Sequence, residues 1–258
     1  YQVASLRIVF SGIVLLPYSI KYWKQLPSNK MGTIFLSGLL GSLLPAFLFC
    51  IAETKIDSAL AGILNSLTPL FTIIVGMVVF KISIDPKKIG GILLGLVGLC
   101  ISVVAGKTLH FENISFSIFI ILATICYGFN VNMVGKHMQN ISAINIASLA
   151  FSFSIIPGMV ILYLTGYFNN DFTNPALLNA TLASGTLGVI NTSIASILFY
   201  VLVKRAGILF ASTVTYAIPF VSLAMGLLYN EAIHPMRLLG LAIILWGVYI
   251  VNKRGSTK

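Results

Sequence analysis

The chain has 258 residues, of which 58% are hydrophobic and only 9% charged, and its mean hydropathy is +1.00. A soluble domain carries about 25% charged residues, so a water-soluble fold is excluded and a polytopic membrane protein is expected. The formal net charge of +10 lies in short clusters between apolar runs, which argues against the single basic patch of a nucleic-acid binder and for topogenic charge beside anionic membrane lipid.

Nine apolar runs follow one another, at roughly 3–20, 32–52, 57–80, 88–106, 115–135, 142–166, 177–203, 207–229 and 236–252. Most are long enough to cross a bilayer core of about 30 Å as helices. The runs are continuously apolar, so the alternation of a β-barrel is absent. Arg7 is the one full charge well inside a run. It stands near the run's start, where it either snorkels to the interface or makes an anion contact or gate tether.

The third run, Ile56 to Phe80, is unlike a plain anchor. Small residues fill its first part, and Asn65, Ser66 and Thr68 stand at mid-depth just before Pro69. A proline there removes the backbone hydrogen bond to the carbonyl of Asn65. That predicts a hinge at Pro69, with a carbonyl and a side-chain amide at one level. The eighth run repeats the pattern 150 positions later, with Thr215 and Tyr216 ahead of Pro219. Connections between runs are short and punctuated by turn signals such as Asp85-Pro86 and Asn174-Pro175.

The basic residues predict the orientation. With a cytoplasmic C-terminus, Lys21, Lys24, Lys30, Lys81, Lys87, Lys88, Lys136, Lys204, Arg205, Lys253, Arg254 and Lys258 all fall on the inner side, twelve of the 16. That is the positive-inside asymmetry of a bacterial-type inner membrane protein.

The 150-residue offset extends further, pairing Gly38 with Gly188, Phe49 with Phe199 and Gly90 with Gly240. An offset of 143 pairs Ser5 with Ser148, Leu6 with Leu149 and Ser11 with Ser154. The chain therefore divides into a first repeat of four helices, 1–106, and a second of five, 107–258. The expected parent design is five plus five helices, the partner of 115–135 lying before Tyr1. An odd number per repeat inverts the halves, as in many secondary transporters. The fold class is thus an all-α membrane bundle of nine spanning helices with an inverted repeat.

On these residues the sequence resembles the drug/metabolite transporter superfamily, specifically its EamA-like ten-helix members. The resemblance rests on Ala59-Leu60-Ala61-Gly62 leading to Leu67-Thr68-Pro69-Leu70-Phe71, and on Ala211-Ser212 leading to Ile218-Pro219-Phe220. The Gly-rich helices after each, with Gly90, Gly91, Gly95 and Gly98 and then Gly240 and Gly247, belong to it, as does Leu6-Arg7. Asn230-Glu231 matches an acidic residue after the second proline helix, whereas Lys81 departs from it in the first half. The resemblance implies an alternating-access exporter or facilitator of small metabolites, with amino acids and related amphiphiles as the substrate class.

Candidate substrate contacts are polar residues inside spanning runs, since these are expensive there. They are Asn65, Thr215, Tyr216, Asn191, Asn130, Tyr200 and Arg7, with Pro69 and Pro219 as hinges. Asn191 has Gly41 as its repeat mate, which would make the cavity lopsided. Asn130 lies one helical turn from Tyr127. The competing reading for isolated Ser and Thr is helix-to-helix glue.

Cys50, Cys100 and Cys126 lack paired spacing, and the three His residues lack metal-ligand spacing. No metal or cofactor is expected. The partners expected are a small-molecule substrate and lipid, with the protein a monomer or homodimer. No acid is visible within a run, which predicts transport without a proton relay. An intramembrane enzyme would need clustered titratable groups at one face, and a non-transporting scaffold or sensor is the other rival.

Overall fold

The computed structural model describes residues 1–25, 28–56, 58–104, 114–218, 220–221 and 235–253. The described chain is helical, with no strand among these residues. The helices are α1 (Gln2–Tyr22), α2 (Ser28–Gly38), α3 (Leu44–Ala52), α4 (Ser58–Asn65), α5 (Thr68–Val78), α6 (Pro86–Val104) and α7 (Ser117–His137). Then come α8 (Ala143–Leu164), α9 (Pro175–Leu187), α10 (Ala195–Ala206), α11 (Ile208–Ser212) and α12 (Pro235–Asn252). Two π-helical stretches, Leu39–Leu43 and Gly188–Ile194, join α2 to α3 and α9 to α10 into single rods.

Local chemistry sets the ends. Asp85 Oδ1 accepts from Lys87 N at 2.9 Å just as α6 opens on Pro86. Asn174 Oδ1 accepts from Ala176 N at 2.9 Å where α9 opens on Pro175. Both place a side-chain oxygen on backbone donors that a helix start leaves without partners. Gly166 (φ +69°) follows the end of α8 and Gly207 (φ +91°) ends α10, a region that suits glycine.

Among the described residues, six helices are long and apolar enough to cross a membrane, and Ile208–Ala217 and Leu238–Asn252 are shorter apolar helices. Their outward faces carry large apolar side chains in the open, including Val78 (72% exposed), Leu164 (75%) and Trp246 (64%). Such a surface is stable against hydrocarbon and not against water. The protein is an integral, all-α, polytopic membrane protein.

Two pairs of helices cross on small residues. In α6 and α12, Gly91 meets the carbonyl of Gly247 and Gly98 that of Gly240, so the two run antiparallel in backbone contact. In α1 and α8, Gly12 meets Phe151 and Ile155, and Gly158 meets Ser5 and Val9. Around these pairs lie two further groups. Helix α7 packs on α3, α4 and α5, although it comes from the later part of the chain, and α10 packs on α11.

One end of the bundle carries Lys21, Lys136, Lys204 and Arg205 and is called the basic end here. The largest apolar cluster fills it. Leu15, Ile34, Val75, Val134, Met138 and Val203 bring together α1, α2, α5, α7 and α10 there. The opposite end has two separate smaller clusters, one around Ala52, Leu60 and Ile120 and one around Leu6, Val9 and Leu162.

Candidate functional site

The stretch expected as a single helix, 57–80, is two. Helix α4 stops at Asn65, Ser66 and Leu67 turn, and α5 begins at Thr68 with Pro69 in its first turn. Pro69 is buried and serves as a helix starter. The carbonyl that it deprives of a donor is not free. Thr68 Oγ1 donates to Asn65 O at 2.7 Å, and Ser66 Oγ donates to Ile63 O. The expected backbone acceptor for a ligand at Asn65 is thereby taken, and the half-buried Asn65 side chain is what this level offers.

In the later counterpart the backbone tightens into a 3₁₀ stretch, Thr213–Ala217. Thr215 is half-buried and its hydroxyl donates to Ser212 O at 3.3 Å. Tyr216 turns elsewhere. It is 1% exposed, its hydroxyl donates to Ile92 O at 2.8 Å, and its ring fills the space where Gly95 lacks a Cβ. It ties this segment to α6. Pro219 lies outside the described residues.

Asn130, on α7, is the hub of a buried polar link. Its Oδ1 accepts from Ser37 Oγ on α2 at 2.5 Å, and its Nδ2 points at the Tyr200 hydroxyl on α10 at 3.4 Å. Asn130 and Tyr200 are each 3% exposed and Ser37 is 0%. The absent side chain of Gly41, in the π stretch, makes room for the Asn130 amide. Gly41 thus faces Asn130. Asn132, two residues on, bonds α7 to α5 through Thr72 O at 2.9 Å and nests against Gly76.

Asn191 lies on the second π stretch and is exposed. Its neighbour Ser193 donates to Gly188 O at 3.3 Å, five residues back, and shares a 2.8 Å hydrogen bond with Ser11 of α1. Gly188 lies against the backbone of Arg7. The π stretch therefore seats α1 on the α9–α10 rod, with Arg7 at the contact. Arg7 is half-buried, and the start of α1 meets α3 where Tyr1 stacks on Phe47, ring centroids 6.4 Å apart. Phe49 packs beside Tyr127, ring centroids 6.3 Å apart.

The candidate polar residues fall on two groups of helices, and the boundary between the groups is called the seam here. On one side stand α2–α5 with α7, carrying Asn65, Tyr127 and Asn130. On the other stand α1 and the α9–α10 rod, carrying Arg7, Asn191 and Tyr200. At the basic end Lys204 of α10 reaches across to the end of α7. Its ammonium donates to Met138 O at 2.5 Å, Gln139 O at 2.9 Å and Ile141 O. Lys136 likewise donates to Phe80 O, closing the end of α5. A cation over the carbonyl end of a helix is favourable on both dipole and hydrogen-bond grounds.

The sequence reading did not pick out Lys204, Ser37 or the Ser11–Ser193 pair. A lysine in the last turn of a helix reads as solvated, and serines in an apolar run carry no sign of which neighbour they meet. Among the described residues no group of His, Cys, Asp and Glu could hold a metal ion.

Comparison with known proteins bears on the family and the fold. The sequence model of the EamA-like transporter family matches residues 1–104 and 115–253. A protein of Archaeoglobus fulgidus named as an uncharacterized transporter is 25% identical, over 98% of this chain and 88% of its own. A solved crystal structure, 17% identical, superposes with a TM-score of 0.71 over 96% of this chain and 85% of that one, which speaks for the fold.

Proposed function

The chain belongs to the EamA-like transporter family and is a membrane transporter, and from that premise we propose that it moves small metabolites by alternating access. The observation that carries this reading is the seam. One apolar plug joins both sides of it at the basic end, whereas two separate clusters stand at the other. A carrier closed on one face and parted on the other has this distribution of core. The basic end is the cytoplasmic face of a bacterial inner membrane, on the positive-inside argument. The state described is thus closed inward.

The moving parts are the two sides of the seam, in a five-plus-five inverted design. Reciprocal contacts support it. Gly38 lies against the backbone of Ala150, and Gly188 against that of Arg7, with Gly38 and Gly188 as repeat mates and Arg7 and Ala150 likewise. Both π stretches also fall at matching places in the repeats.

The substrates are amino acids and related amphiphiles, moved down their own gradient as an exporter or facilitator. Glu53, Asp85 and Asp171, the acids among the described residues, stand outside the helices, which is what transport without a proton relay needs. The test is counterflow in proteoliposomes with a labelled amino-acid panel, with and without Asn65→Ala. Flux of at least one amino acid that Asn65→Ala reduces is expected. No exchange of any of them would overturn the substrate class, and concentrative uptake driven by a pH gradient would overturn the coupling.

A further inference from the structure

Buried polar atoms without partners are rare in native folds, and each one asks for a reason. Three of those found here belong to α1 and the π stretch packed on it: Ser5 Oγ, Arg7 Nε and Thr192 Oγ1. The arginine is the costly one. A guanidinium carries five donors, and its Nε–H is shut away from solvent with no acceptor. Snorkelling would keep the terminal nitrogens in water and still leaves this Nε–H without an acceptor.

Packing does not account for it either. The repeat mate of Arg7 is Ala150, which presents its backbone to Gly38 as Arg7 does to Gly188. Alanine suffices for that contact. The guanidinium is therefore extra to the packing, and it exists on one side of the seam only. No carboxylate among the described residues bonds to it. Across the seam stands Tyr127, packed beside Phe49 of α3, the helix that meets the start of α1 where Tyr1 stacks on Phe47; the Tyr127 hydroxyl makes no hydrogen bond to another described residue. A cation on one wall and a free phenol on the other suit a planar anion, and the arginine fork matches a carboxylate in two hydrogen bonds.

We propose that Arg7 and Tyr127 form a carboxylate subsite of the transport path, holding the acid group of a small organic acid or amino acid between α1 and α7. This deepens the transporter reading and rests on it for the word path, while the binding itself is separately measurable.

The chain has four arginines, Arg7, Arg205, Arg237 and Arg254, few enough to resolve their Nε–H signals by NMR. The protein, labelled with ¹⁵N-arginine in uncharged lipid nanodiscs, is titrated to about 10 mM, well above a weak Kd of about 1 mM. The probes are 3-phenylpropionate, phenethylamine and chloride at matched ionic strength, and Arg7→Lys identifies the signal. A saturable shift of the Arg7 signal with phenylpropionate alone is expected, weakened about tenfold by Tyr127→Phe.

A flat titration, or an equal response to chloride, overturns the subsite. So does an Arg7 signal that moves in Glu53→Gln before any ligand is added, since that marks a partner within the protein. A signal that responds only when anionic lipid is built into the disc overturns it in favour of a lipid phosphate. The wild-type titration decides even if Arg7→Lys folds poorly, because the signals of Arg205, Arg237 and Arg254 can be assigned by their own lysine variants. If the shift appears but proteoliposomes show no flux, the transport reading fails and the subsite stands; flux without the shift does the reverse.

Discussion

Thr68 repairs what Pro69 breaks. Its hydroxyl supplies the donor that the proline ring cannot, at 2.7 Å from Asn65 O. Thr68→Val should leave that carbonyl unpaired in a dry setting and cost about 1–3 kcal/mol, read as a lower unfolding midpoint in detergent, and Thr68→Ser should restore most of it. Tyr216 makes the complementary case. Its single hydrogen bond reaches the Ile92 carbonyl, which lies within α6. Tyr216→Phe should therefore cost only about 1 kcal/mol and leave flux within about twofold of wild type. A large loss of flux with unchanged stability would return Tyr216 to the substrate path. Polarity in an apolar run was legible at both positions. Whether a polar atom meets a ligand or a neighbouring carbonyl was not, because that depends on a helix break for Thr68 and on a second helix for Tyr216.

At the scale of elements, the glycines of α6 look alike in sequence and differ in place. A Cβ on Gly98 would stand 2.7 Å from the Gly240 carbonyl, whereas one on Gly90 would meet nothing within 4 Å. Gly98→Ala must push two backbones apart and should cost about 1–3 kcal/mol. Gly90→Ala should be neutral or stabilising by up to about 1 kcal/mol, since alanine is the better helix former. Paired thermal unfolding in one detergent checks both, and equal effects would refute the close α6–α12 crossing. Gly95→Leu would collide with the Tyr216 ring and should impair the protein more than Leu94→Ala. The long rods were legible as apolar runs. The π stretches were not, because a widened turn follows from what packs against it. At Gly188 that is α1, and at Gly41 it is the Asn130 amide.

At the scale of the molecule, the plug at the basic end is held by more than apolar contact. Lys204 reaches from α10 to three carbonyls at the end of α7, so opening that end must break them. Lys204→Met keeps the apolar stem and removes the donors. It should move the population toward the inward-open form. The check is labelling of Val134→Cys from the basic side, in protein whose Cys50, Cys100 and Cys126 are replaced by alanine. Val134 is fully buried in the described state. Faster labelling in Lys204→Met is expected; an unchanged rate would remove Lys204 from the gate.

The amino-acid sequence by itself determined the membrane class, most of the long apolar helices and the family likeness. Each of these follows from local apolarity, from charge counted loop by loop, or from self-matching at a fixed offset. Tertiary structure decided which polar residues meet. Asn130 joins Ser37 and Tyr200, Ser11 joins Ser193, and Tyr216 packs on Gly95. The physical reason is that lipid fixes only which faces of a helix are apolar. The rotation of one helix against another is set by close packing and by hydrogen bonds between residues distant in the chain, and a single sequence does not display those pairings.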